Sequence, residues 1–115
     1  MVQLIERAIT FEREVIVMKT ISASAVNDRL TAGETLNIID VREVAEVRSG
    51  RIPTSIHLPL GLIEFRMNEL DKKKEYIVVC QSGGRSSQAV KFLDYHGFNV
   101  TNMNGGMLSW KGKVD

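Results

Sequence analysis

The sequence predicts an α/β domain with a central, mainly parallel sheet of about five strands flanked by helices. Three observations carry that prediction. The runs Leu36-Asn37-Ile38-Ile39-Asp40-Val41 and Tyr76-Ile77-Val78-Val79-Cys80 are apolar on both faces, as strands covered on both sides must be. Segments of helical character alternate with these runs, the pattern that builds parallel sheets. The chain of 115 residues fits one domain with one ordinary core.

Each element follows in order. Residues 1–17 read as an extension ahead of a domain at 18–115. Leu4, Ala8, Phe11 and Val15 recur at helical spacing, so this stretch is expected to be a short amphipathic helix or a leader before Met18. Thr20-Ile21 is a brief strand, and Ser22 or Ser24 caps a helix running toward Leu30 that Gly33 ends. After the strand at 36–41 comes a helix from about Glu43 to Arg48, stopped by Gly50. Ser55 to Leu58 is a short strand between Pro53 and Pro59, and Leu62 to Asn68 is helical. A helix from Ser86 to His96, with Gly97 as its cap, follows the strand that ends at Cys80. Phe98-Asn99-Val100 is the last strand, and a short helix follows Gly105-Gly106.

Composition excludes several functions. Fifteen basic against fourteen acidic residues leave no basic footprint for nucleic acid. One cysteine makes no internal disulfide and no paired-thiol redox cycle, and with two histidines it makes no conventional zinc cage, so no metal is expected. No run approaches the ~20 apolar residues of a membrane span. The acidic N-terminal stretch lacks a signal peptide's apolar core, so a cytoplasmic location is the expectation.

The chemistry concentrates in Cys80-Gln81-Ser82-Gly83-Gly84-Arg85-Ser86. Cys80 ends a buried strand, two glycines follow, and a helix opens at Arg85 or Ser86. In open α/β sheets ligands bind at the carboxyl ends of strands, where this loop must lie. Gly83 and Gly84 allow backbone N–H groups to curl around one point, and the helix adds its own N–H groups and positive dipole end. Arg85 adds a full charge. A thiol at that centre has its thiolate favoured. A lone cysteine closing a strand is ordinarily an inert packing residue, but packing does not call for a nest and a cation beside it.

These residues resemble the active-site loop of the rhodanese-homology family of single-domain sulfurtransferases. Two further blocks share the likeness: Ile39-Asp40-Val41-Arg42, Glu46 and Gly50 to Ile56, and then Asn104-Gly105-Gly106-Met107-Leu108-Ser109-Trp110. Order and spacing agree from about Lys19 to Lys113. The sequence departs from the family pattern at Val47, where an aromatic is common, Arg51, where His is usual, and Thr54, where Gly is frequent. It departs also at Gln81, where members favouring thiosulfate often carry a basic residue.

The resemblance implies that Cys80 takes the outer sulfur of a donor such as thiosulfate and holds it as a persulfide. A thiol, a sulfur-carrier protein or cyanide then accepts it, with no cofactor. It further implies that the loop amides stabilise the anionic persulfide, that Arg85 shapes the loop and assists an anionic substrate, and that Asp40 helps to order the site. Arg42 reads as a structural ion pair with an acidic neighbour. With no second cysteine to resolve it, a persulfide on Cys80 needs a partner molecule. The rival readings are a non-catalytic rhodanese-like binding module, which typically lacks the cysteine, and a cysteine-loop phosphatase or arsenate reductase. The latter needs five residues between Cys and Arg, and four stand here.

Overall fold

Alternation along the central strand sets the layers of the fold. The structure, a computed structural model, describes residues 8–11 and 14–115, with side chains from residue 17 onward. In strand β6 (Glu75–Val79) and the cysteine after it, Tyr76, Val78 and Cys80 enter one apolar cluster while Ile77 and Val79 enter another. Successive side chains of a strand point to opposite faces, so both faces of the sheet must be covered. Helix α4 (Gly84–Tyr95) covers the first with Ala89, Val90 and Leu93, joined by Ile63 of α3 (Ile63–Arg66). Helix α1 (Ala23–Thr31) covers the second with Ala23 and Val26. Its N-cap is Ser22, whose hydroxyl accepts the Ala25 N–H at 3.0 Å.

The sheet holds β3 (Thr20–Ser22), β4 (Ile38–Asp40), β5 (Ile56–His57), β6 and β7 (Asn99–Asn104) in the order β3-β7-β6-β4-β5, every pair parallel. From β4 the chain passes through α2 (Val44–Arg48) to β5 on one side and then to β6 on the other. Strand order therefore reverses at β4, and the crevice beyond its carboxyl end is where such sheets bind ligands. The five parallel strands and flanking helices agree with the expected class.

Boundaries differ in places. Residues 8–11 and 14–17 do not form the helix that the Leu4-Ala8-Phe11-Val15 spacing suggests. β1 (Ala8–Phe11) and β2 (Glu14–Val17) pair antiparallel, with Ile9 opposite Ile16. Ile9, Thr10, Val15, Ile16 and Val17 are β-branched, which favours strand over helix and outweighs the spacing. Residues 1–7, including Leu4, lie outside the described residues, and with them the reading of a leader. The helix expected at 62–68 is shorter, with 3-10 turns at Leu60–Leu62 and Met67–Glu69 on either side of α3. β7 runs four residues past Val100, because Thr101 and Asn102 pair with β6 while Asn102, Met103 and Asn104 pair with β3, Asn102 having partners on both sides. Ladder hydrogen bonds on both sides there override the weak strand preference of asparagine.

Thr54 has φ +67°, a left-handed conformation that costs a β-branched residue about 1–3 kcal/mol. Glycine releases that strain and returns up to ~1 kcal/mol as unfolded-state entropy. Thr54→Gly is therefore expected to stabilise the fold by about 1 kcal/mol, raising the melting temperature by about 4 °C. A melting temperature that falls would show that this turn carries no strain.

Candidate active site

Cys80 follows directly on the carboxyl end of β6, with its side chain buried. The Gly83 N–H donates to its sulfur at 3.0 Å, which requires Gly83 to take φ +109° as the N-cap of α4. The thiol donates to Ser86 Oγ at 3.3 Å, and Ser86 donates on to the Gly83 carbonyl at 3.1 Å. Burial by itself pushes the thiol pKa up. The Ser86 hydroxyl and the N–H groups of Ser86, Gly83 and Ser82 outweigh it, so the pKa falls below that of an ordinary thiol. When the thiol ionises, the Ser86 hydroxyl is placed to turn its hydrogen onto the sulfur.

The second loop glycine has a lesser part than its sequence suggests. Gly84 does not adopt a left-handed φ, and a Cβ there would meet nothing within 4 Å. The glycine that the loop does require lies elsewhere, in the segment after β7. Met107 and Leu108 donate their N–H groups to the carbonyls of Cys80 (2.8 Å) and Gln81 (3.0 Å). This approach is so close that a Cβ on Gly106, at φ +57°, would stand 2.5 Å from both carbonyl oxygens. The Asn104-Gly105-Gly106 block is thus the back wall of the cysteine loop. Its contact with Cys80 joins residues far apart in sequence, and no local signal announces it.

Arg42 and Asp40 form a buried ion pair, the guanidinium NH2 lying 2.8 Å from Asp40 Oδ2. Neither touches the thiol. The Arg42 guanidinium also donates to the carbonyls of Glu46 (3.2 Å) and Gly50 (2.8 Å) and to Gln81 Oε1 (3.3 Å). It ties β4, α2 and the cysteine loop together, and it turns the Gln81 side chain toward itself. His57 contacts the Arg42 carbonyl at 2.7 Å, and His96 contacts the Phe92 carbonyl at 2.9 Å. Neither histidine is bonded to Cys80.

Arg85 meets a partner that its own surroundings in the sequence do not reveal. Both terminal nitrogens donate to the Glu46 carboxylate at 2.7 Å. Glu46 also accepts the Glu43 N–H at 2.9 Å, in a capping box that starts α2. The Arg85 guanidinium and then the Glu43 N–H pull the Glu46 pKa down to about 2, and Glu46 in turn holds Arg85 charged. The sequence places the start of this helix at about Glu43, but a partner 39 residues away leaves no local signal.

A family model described as the rhodanese-like domain matches residues 22–113. The chain belongs to the rhodanese-like domain family. Among rhodanese-like relatives, it is 45% identical over 97 residues to YtwF of Bacillus subtilis, named as a candidate sulfurtransferase, covering 84% of this chain and 94% of that one. It is 36% identical to a protein of Allochromatium vinosum named sulfurtransferase, covering 78% and 85%. A crystal structure of a rhodanese-like domain protein from Staphylococcus aureus superposes with TM-score 0.81 at 30% identity, covering 85% of this chain and 97% of that one. Among the described residues, no helix of this rhodanese-like domain is long and apolar enough to cross a membrane.

Proposed function

We propose that this rhodanese-like domain is a sulfurtransferase that carries sulfane sulfur as a persulfide on Cys80. The carrying observation is the sulfur atom itself, buried at the end of β6 with the Gly83 N–H at 3.0 Å and the Ser86 hydroxyl at 3.3 Å. In the first half-reaction the Cys80 thiolate attacks the outer sulfur of a donor such as thiosulfate. The donor's sulfur–sulfur bond breaks, its electron pair leaves with sulfite, and Cys80 becomes a persulfide. In the second half-reaction a thiolate, a sulfur-carrier protein or cyanide attacks the outer sulfur and the Cys80 thiolate leaves. This is covalent catalysis in two displacements, neither of which needs an outside oxidant.

The loop serves both halves. Amides that favour a thiolate also favour the anionic persulfide and the departing thiolate, and they are in place before the reaction begins. The names of the Bacillus and Allochromatium relatives support the same reading. Intact-mass spectrometry after exposure to thiosulfate and to organic persulfides tests it. The expected result is a gain of one sulfur atom on Cys80, removed by thiols or cyanide. A mass unchanged by every donor would overturn the proposal.

A further inference from the structure

Two guanidinium groups are bonded to the cysteine loop or belong to it, and carboxylates neutralise both. Arg42 spends its N–H groups on the Asp40 carboxylate, the backbone carbonyls of Glu46 and Gly50, and Gln81 Oε1. Arg85 gives both ends of its fork to Glu46, and Glu46 is fixed by the Glu43 N–H of the capping box. The Glu43 carboxylate also lies near enough to favour the charge on Arg85. Around the loop, carboxylates thus outnumber guanidiniums by one, and Gln81 adds no charge. Arg85 lies near enough to feel the charge of Cys80, but Glu46 matches its own charge, so the attraction left for an anion comes chiefly from the backbone N–H groups, which act at the sulfur and not over a whole substrate.

This matters because sulfur donors differ in charge. Thiosulfate brings two negative charges to a thiolate, so three must gather at the site. An alkyl persulfide, R–S–SH, brings none or one. We infer that Glu46, by holding Arg85, selects donors by charge, so that the domain takes sulfur from organic persulfides in preference to the thiosulfate dianion. The inference rests on the persulfide reading above and names its substrate class. The step balances. The Cys80 thiolate attacks the outer sulfur of R–S–SH, the sulfur–sulfur bond breaks, and the electron pair leaves as R–S⁻. The outer sulfur and its hydrogen remain as Cys80–S–SH. Glu46 touches no reacting atom; it is a positioning residue acting through Arg85.

The test compares kcat/KM for thiosulfate and for mercaptoethanol persulfide, in the wild-type protein and in Glu46→Gln. Wild type is expected to favour the persulfide by at least about tenfold. Glu46→Gln keeps an acceptor for the Glu43 N–H but frees the charge of Arg85. It is expected to move the ratio about tenfold toward thiosulfate, mainly through a lower KM for that donor. A purely structural role would depress both donors together and leave the ratio alone. Added salt supplies an arm that needs no variant: by screening the repulsion it should narrow the wild-type ratio. A wild-type preference for thiosulfate, or a ratio unmoved both in folded Glu46→Gln and by salt, would overturn the inference. If neither donor adds sulfur to Cys80, the underlying sulfurtransferase reading falls as well, which distinguishes the two failures.

Discussion

Cys80→Ser is expected to abolish sulfur transfer, lowering the rate by at least about a thousandfold, while the fold survives. A hydroxyl is too weakly acidic to ionise in this nest, and it forms no persulfide, so both half-reactions stop. The hydrogen bonds need not be lost with the sulfur. The Gly83 N–H and the Ser86 hydroxyl both lie within reach of a smaller atom on the same Cβ. The melting temperature should therefore move by no more than about 5 °C. The check is thiocyanate formation from cyanide and a sulfur donor, read beside a thermal melt. A folded Cys80→Ser protein that transfers sulfur at the wild-type rate would remove Cys80 from the mechanism.

Gly106→Ala should cost more stability than any other single methyl group placed near the site. The added Cβ would meet the carbonyl oxygens of Cys80 and Gln81 at 2.5 Å and the Gln81 carbonyl carbon at 2.6 Å, all of them backbone atoms that cannot rotate away. Its φ of +57° adds the ordinary penalty for a side chain in the left-handed region. Together the overpacking and the conformation are expected to cost about 2–4 kcal/mol. Relief would come from shifting the loop, so the Met107 and Leu108 hydrogen bonds that seat it should weaken as well. The variant is expected to unfold at lower urea concentration and to show Cys80 titrating closer to an ordinary thiol in alkylation rates. Gly61→Ala is the matched control, since a Cβ there meets nothing within 4 Å; it should change stability by less than about 0.5 kcal/mol. A Gly106→Ala protein with the wild-type urea midpoint would show that the wall behind the loop is soft.

These two residues also mark what the sequence could and could not display. The run Tyr76 to Cys80, the glycine after it and the helix beyond are local features, and their chemistry follows from composition and spacing. The mainly parallel sheet and the cysteine's place at a strand end follow from the same alternation, whereas the order of the strands does not. Gly106 and Glu46 act through partners more than twenty residues away, and no periodicity reports such a distance. That Arg42 pairs with an acidic neighbour was legible, and the structure names that neighbour as Asp40, two residues back at the strand end. The strands at 8–11 and 14–17 fall in a stretch for which a helix is one of two expectations, because four apolar residues at helical spacing compete there with β-branched neighbours over too short a length to decide.

β7 has a further consequence, one of timing. It comes late in the chain yet lies between β3 and β6, so the first strand of the sheet has nothing to pair with until residues 99–104 are made. The segment that follows it supplies the wall on which the cysteine loop sits. Until that stretch is seated, the loop that carries the Gly83 and Ser86 donors lacks its wall, and Cys80 is expected to react as an ordinary thiol. A nascent or partly unfolded chain is thereby spared a reactive thiolate that stray oxidants would find first.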